Sequence, residues 1–104
     1  MDNELLEIIE NYGVLHQLKH FQSEVYELTE AIFQYDAQKE ACENIGCSRL
    51  HVDKCKDHIA EEIADVQVML NQFKVHYGIT NKELVEIMKY KIKRQLKRIE
   101  NEKL

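Results

Sequence analysis

Two segments of this chain repeat apolar side chains at steps of three and four, and that spacing constrains the fold more than any other feature. Leu18, Phe21, Val25, Leu28, Ile32 and Tyr35 form one series; Ile59, Ile63, Val66, Leu70, Phe73 and Tyr77 form the other. Such steps gather side chains on one face of a helix but scatter them over both faces of a strand. No stretch alternates apolar and polar residues over a strand length without also fitting a helix. The expectation is an all-α protein.

Stop and start signals divide the chain. A first helix is expected over Asn3–Tyr12, with Leu5, Leu6, Ile8 and Ile9 as its apolar face and Gly13 as its stop. A second runs from about Val14 to about Gln38. Residues 39–52 (KEACENIGCSRLHV) lack a sustained period, contain Gly46 and read as a loop or a frayed connection. Asp53 is the expected N-cap of a third helix that ends near Gly78. Thr80-Asn81-Lys82-Glu83 has the form of a capping box, opening a fourth helix with Val85, Met88, Ile92, Leu96 and Ile99 on one side. At 104 residues the chain suits one domain, 1–104. Its stripes, widened by Tyr26, Phe33 and Met69, exceed what one small subunit can cover. The reading is an antiparallel helical bundle completed by oligomerisation, as a homodimer or homotetramer. Most of the aromatics Phe21, Tyr26, Phe33, Tyr35, Phe73 and Tyr77 are expected in the core, with one or two left to stack on a base.

Four carboxylates carry the chemistry. Glu24/Glu27 and Glu62/Asp65 each have i, i+3 spacing, and each carboxylate comes one residue before a seam position: Val25, Leu28, Ile63 and Val66. If the seams pack together, all four lie at the edge of one interface. Like charges brought together repel unless a cation sits between them. This predicts a divalent metal site, for Mg²⁺ first and Mn²⁺ second. An ordinary solvated acidic face would carry Lys or Arg a turn away; none lies between Phe21 and Gln38.

The net charge of −5 conceals a separate basic run: Lys89, Lys91, Lys93, Arg94, Lys97 and Arg98, with no acid inside it. An acidic cluster plus a basic helix suits a metal-bound polyphosphate, and disfavours nucleic acid as the partner. Lys91, Arg94 and Arg98 share a stripe and are the candidate phosphate contacts; Lys93 and Lys97 are expected to face water. Cys42, Cys47, His51, Cys55 and His58 match no standard zinc spacing, and three cysteines is an odd number. Reduced thiols without a structural zinc are therefore expected. His58, one turn before Glu62, is placed to support the metal site, whereas His16, His20 and His76 have no constellation around them. No apolar run approaches a membrane span, and the opening MDNELLEIIE has no signal-peptide character, so a cytoplasmic protein without membrane contact is expected.

At these residues the chain resembles the MazG-like family of all-α nucleoside triphosphate pyrophosphohydrolases, which includes dimeric dUTPases. The family's Glu-Glu-x-x-Glu motif corresponds to Ser23-Glu24-Val25-Tyr26-Glu27, and its Glu-x-x-Asp motif to Glu62-Ile63-Ala64-Asp65. The family's Lys/Arg-rich stretch is similar to the segment from Lys91 to Lys97. Ser23 stands where the family has its first Glu, and the resemblance spans about Gln17 to about Ile99. It implies the all-α NTP pyrophosphatase fold and Mg²⁺-dependent cleavage of a (d)NTP into (d)NMP and pyrophosphate. It implies Glu24, Glu27, Glu62 and Asp65 as metal ligands, with Lys91 and Arg94 near phosphate; Arg98 joins these two only through the shared stripe. Glu27 would orient the attacking water, and Lys91 and Arg94 would stabilise charge on the leaving pyrophosphate. No Ser-His-Asp set or Gly-rich phosphate loop supports a covalent or P-loop alternative. The competing reading is a non-enzymatic helical oligomerisation or adaptor module.

Overall fold

The computed structural model describes residues 1–46 and 49–104, and of these the side chains of all but 45, 49 and 50. Four helices account for nearly all of it: α1 (Asp2–Tyr12), α2 (Val14–Ile45), α3 (Arg49–His76) and α4 (Asn81–Glu102). The described residues contain no strand, so the all-α expectation holds. Gly13, at φ +86°, donates its N–H to Ile9 O and lets α2 begin one residue after α1 ends. None of these helices is long and apolar enough to cross a membrane.

The connection between the two long helices corrects the expected loop. α2 continues to Ile45 and α3 begins at Arg49. Residues 39–45 contain neither Gly nor Pro, and an established helix gains a hydrogen bond with each residue added, so loss of apolar period alone does not stop it. Gly46 does, in the left-handed conformation, with its N–H bonded to Cys42 O. Asp53 therefore lies inside α3 and is not its N-cap. Cys42, beside this reversal of the chain, is disulfide-bonded, which corrects the expectation of a reduced thiol there. Cys55 is a free thiol as expected, and Cys47 lies outside the described residues.

α2 and α3 form an antiparallel hairpin: Gln17 meets Gln72, and further along α2 a carboxylate oxygen of Glu24 comes within 4.8 Å of one on Glu62, earlier on α3. Phe21 meets Phe73 edge to face with centroids 5.7 Å apart. The packed phase differs from the expected one. The inward positions of α2 are Gln17, Phe21, Glu24, Leu28, Ala31 and Tyr35; those of α3 are Cys55, Ile59, Glu62, Val66, Met69 and Phe73. Both series step by three and four throughout, as in a coiled coil. Leu18, Val25 and Ile32 on α2, and Ile63, Leu70 and Tyr77 on α3, were expected in the seam but stand 38–63% exposed. Tyr26 and Phe33 are about two-thirds exposed as well, so the expected aromatic core contracts to Phe21, Tyr35 and Phe73. The physical reason is the width of the apolar stripe: it spans two adjacent heptad columns, and the hairpin covers one. α1 lies against this hairpin and buries Leu5 and Ile9.

α4 is built differently. Its predicted capping box is present: Glu83 N–H donates to Thr80 Oγ1 at 3.1 Å and Thr80 N–H to Glu83 Oε2 at 2.9 Å. Yet α4 packs against none of the other helices, and Val85, Met88, Ile92, Leu96 and Ile99 are 45–60% exposed. Leu84 and Met88, in its first turns, border a groove with Leu70, Phe73 and Tyr77 of α3. The radius of gyration is 18.1 Å, against about 13 Å for a compact domain of this length. The accessible surface of 8525 Å² exceeds by about 40% that of a typical folded monomer of this mass.

Candidate metal centre

Glu24 and Glu62 occupy inward heptad positions, not the seam edge, and this is what builds the site. An inward position ordinarily holds an apolar side chain. Here two carboxylates face each other across the hairpin, and Glu62 is only 8% exposed. Asp65, one turn along α3 from Glu62, is exposed and closes the group. Glu24, Glu62 and Asp65 each offer an oxygen, and these oxygens lie within 4.8 Å of one another. Glu27 is exposed, but its charge acts on both Glu24 and Glu62. The structure thus draws together three of the four carboxylates singled out in the sequence; Glu27 is not in the group and is near enough only for its charge to act on it.

The electrostatics are unfavourable in the bare protein. Burial, then the charge of Glu27, raises the Glu24 carboxyl above its ordinary value; a hydrogen bond from His20 opposes this, and Asp65 adds to it. Burial, then Glu27 and Asp65, raises Glu62, with His58 opposing. Glu24 Oε2 and Glu62 Oε2 are buried with no hydrogen-bond partner. A buried carboxylate oxygen without a donor or cation is a costly feature that folding alone does not select. Oxygens around Mg²⁺ sit about 2.1 Å from the ion and so roughly 3.0–4.2 Å from one another. A group already within 4.8 Å reaches that geometry with small rotamer adjustments. The donor set, all hard oxygens with two unsatisfied, fits Mg²⁺ or Mn²⁺.

Two histidines flank the carboxylates from equivalent positions, one hydrogen-bonded and one at longer range. His20 Nε2 donates to Glu24 Oε1 at 2.9 Å, and His58 Nε2 lies 3.8 Å from Glu62 Oε1; each is one turn before its glutamate. The placement of His58 agrees with expectation. His20 does not: it has a constellation after all, and it supplies the helical partner that Glu24 seemed to lack. The signal was the shared i, i+4 spacing of His20–Glu24 and His58–Glu62. His16 is likewise engaged, its ring stacked on Tyr12 and its Nδ1–H on Gln17 Oε1 at 2.8 Å. His76 meets Tyr77 edge to face.

Lys91, Arg94 and Arg98 are exposed on α4, and no helix contact holds them beside the carboxylates of their own chain. Among the described residues, Cys42, His51, Cys55 and His58 do not gather into a group of metal-ligand atoms.

No family model, curated protein or solved structure matches the chain.

Proposed function

We propose that the protein is a Mg²⁺-dependent nucleotide pyrophosphohydrolase of the MazG-like, all-α NTP pyrophosphatase type, cleaving a (d)NTP to (d)NMP and pyrophosphate. The observation that carries this is the pair of buried, unpartnered carboxylate oxygens on Glu24 and Glu62, in one group with Asp65. Glu24, Glu62 and Asp65 would hold the cation, with Glu27 beside them. A divalent cation there would screen the polyphosphate charge and lower the pKa of a water molecule. Glu27, exposed and outside the tight group, is free to orient the attacking water. Lys91 and Arg94 would bind the phosphates and stabilise charge on the departing pyrophosphate, with Arg98 contributing at longer range.

The protein is further read as a homodimer or homotetramer, because the exposed column of Leu18, Val25, Ile32, Ile63 and Leu70 and the bare face of α4 both call for cover. In that assembly the α4 of one copy lies on the hairpin of another and brings its Lys91 and Arg94 to carboxylates of opposite charge. The bare α4 also favours a second reading, a helical oligomerisation module without catalysis. Release of pyrophosphate from a panel of nucleotides, with Mg²⁺ and with chelator, separates the two: metal-dependent release supports the enzyme, and none across the panel leaves the module. A cytoplasmic setting accords with either reading.

A further inference from the structure

A cavity of about 340 Å³ opens beside the carboxylates, between the end of α1, the start of α2, and α3, and it shares Glu24 and Asp65 with them. Its size is that of a small-ligand pocket. Gln17 and Gln72 belong to its lining, and each is only 2% exposed. Their amides are joined: His16 Nδ1–H donates to Gln17 Oε1, and Gln17 Nε2–H to Gln72 Oε1, both at 2.8 Å. The run ends at Gln72 Nε2, whose acceptor is Met69 Sδ at 3.6 Å. A thioether is among the weakest acceptors a side chain offers, so a buried amide donor is left with little to bind. Tyr12 and His16 line the same cavity, stacked with centroids 5.0 Å apart and planes 16° from parallel. Tyr12 is 56% exposed, so it is open to a further planar ring.

We propose that this cavity is the nucleobase subsite of the substrate, with Tyr12 and His16 as its stacking wall and the Gln72 amide as the donor that reads a base carbonyl. This rests on the reading of Glu24, Glu62 and Asp65 as the polyphosphate end of the same site. Uracil, thymine, cytosine and guanine each present a ring carbonyl; adenine presents none. Gln72 therefore selects against adenine, by supplying a donor that adenine cannot accept at that position.

The test compares UTP with ATP in the full-length protein with Mg²⁺, alongside inorganic triphosphate, which has no base. The expected result is a kcat/KM for UTP above that for ATP, with both above inorganic triphosphate. Gln72→Leu keeps the volume and removes the donor, so the preference for UTP over ATP should fall by roughly 3- to 10-fold. Tyr12→Ala, at an exposed position where folding is not at stake, should raise KM for both nucleotides by roughly 5-fold or more. Equal efficiency on UTP and ATP, or nucleotide KM values unmoved by both substitutions, overturns the subsite while leaving the carboxylate assignment intact. Should no polyphosphate be turned over, the carboxylate reading fails separately. UMP then decides the cavity alone: shifts of the Gln72 side-chain amide NMR signals support it, and their absence overturns it.

Discussion

The α2–α3 hairpin and α4 are both amphipathic, but they solve opposite problems. The hairpin finds apolar cover within the chain and gives up some of it, placing Glu24 and Glu62 where apolar side chains would pack. α4 carries a continuous apolar face and a row of cations, packs against no other helix, and leaves that face about half exposed. Charge buried without need, and apolar surface exposed without cover, both cost stability. Under the proposed function the two would complete each other: a cation would offset the hairpin's anions, and a second copy would cover the face that carries α4's cations.

The sharpest way to break this comparison is to neutralise the hairpin side. Glu62→Gln keeps the shape and removes a buried charge. Turnover should fall by more than about 100-fold, the upper end for residues that only support a metal ligand, while the helical fold persists by circular dichroism. Undiminished pyrophosphate release from purified Glu62→Gln and Asp65→Asn proteins would remove the carboxylates from the mechanism.

The α4 side is tested by pairing. Light scattering at micromolar concentration should give a dimer or tetramer, and a clean monomer near 12.4 kDa would refute the assembly. Glu62→Gln and Lys91→Ala/Arg94→Ala proteins should each be nearly inactive. If α4 acts on its partner, co-refolding them as a dimer should restore ~25% of full activity, because half the dimers are mixed and each mixed dimer has one intact site. No recovery on mixing means that α4 acts within its own chain or not at all.

Individual cations should then divide by position. Lys91→Ala and Arg94→Ala each remove a charge-assisted phosphate contact, at a cost of roughly 10- to 100-fold in kcat/KM. Lys93→Ala, directed elsewhere on the helix, should change little. Equal small losses at all three positions, together with salt-sensitive binding to DNA or RNA, point to a nucleic-acid surface instead.

How far the sequence could be read differs between the same two regions. Helix identity was legible wherever steps of three and four or the Thr80–Glu83 capping box supplied a local signal, and was missed over residues 39–45, where the helix continues without an apolar period. The carboxylates were legible as a group because their spacing is local too. Their depth was not. Leu18/Val25/Ile32 and Phe21/Leu28/Tyr35 are equally apolar columns, and only the partner decides which faces inward. That choice moved Glu24 and Glu62 from the edge of the interface into it. Gln17 and Gln72 carried no signal at all: two glutamines 55 residues apart meet only because the hairpin is antiparallel.

The smallest effect expected is one of pH, and its sign follows from burial. Glu24 and Glu62 have carboxyl pKa values raised in the folded protein. Below the ordinary carboxylate range, folded and unfolded chains both hold these protons, and the pair exacts no cost. Above the raised values, the folded chain must keep both charges in a desolvated site that the unfolded chain escapes. Metal-free stability should therefore fall as pH rises from the ordinary carboxylate value through the raised ones. Because other groups titrate as well, the useful quantity is the melting-temperature difference between Glu62→Gln and the wild-type protein, both in chelator. Glu62→Gln should be the more stable at neutral pH, and its advantage should shrink steadily on acidification towards the ordinary carboxylate range. Mg²⁺ should reverse the order at neutral pH, because it stabilises only the chain that binds it. An advantage that is constant with pH, or that grows in acid, would mean that the Glu62 charge is already compensated within the fold, and that no cation is needed to complete the site.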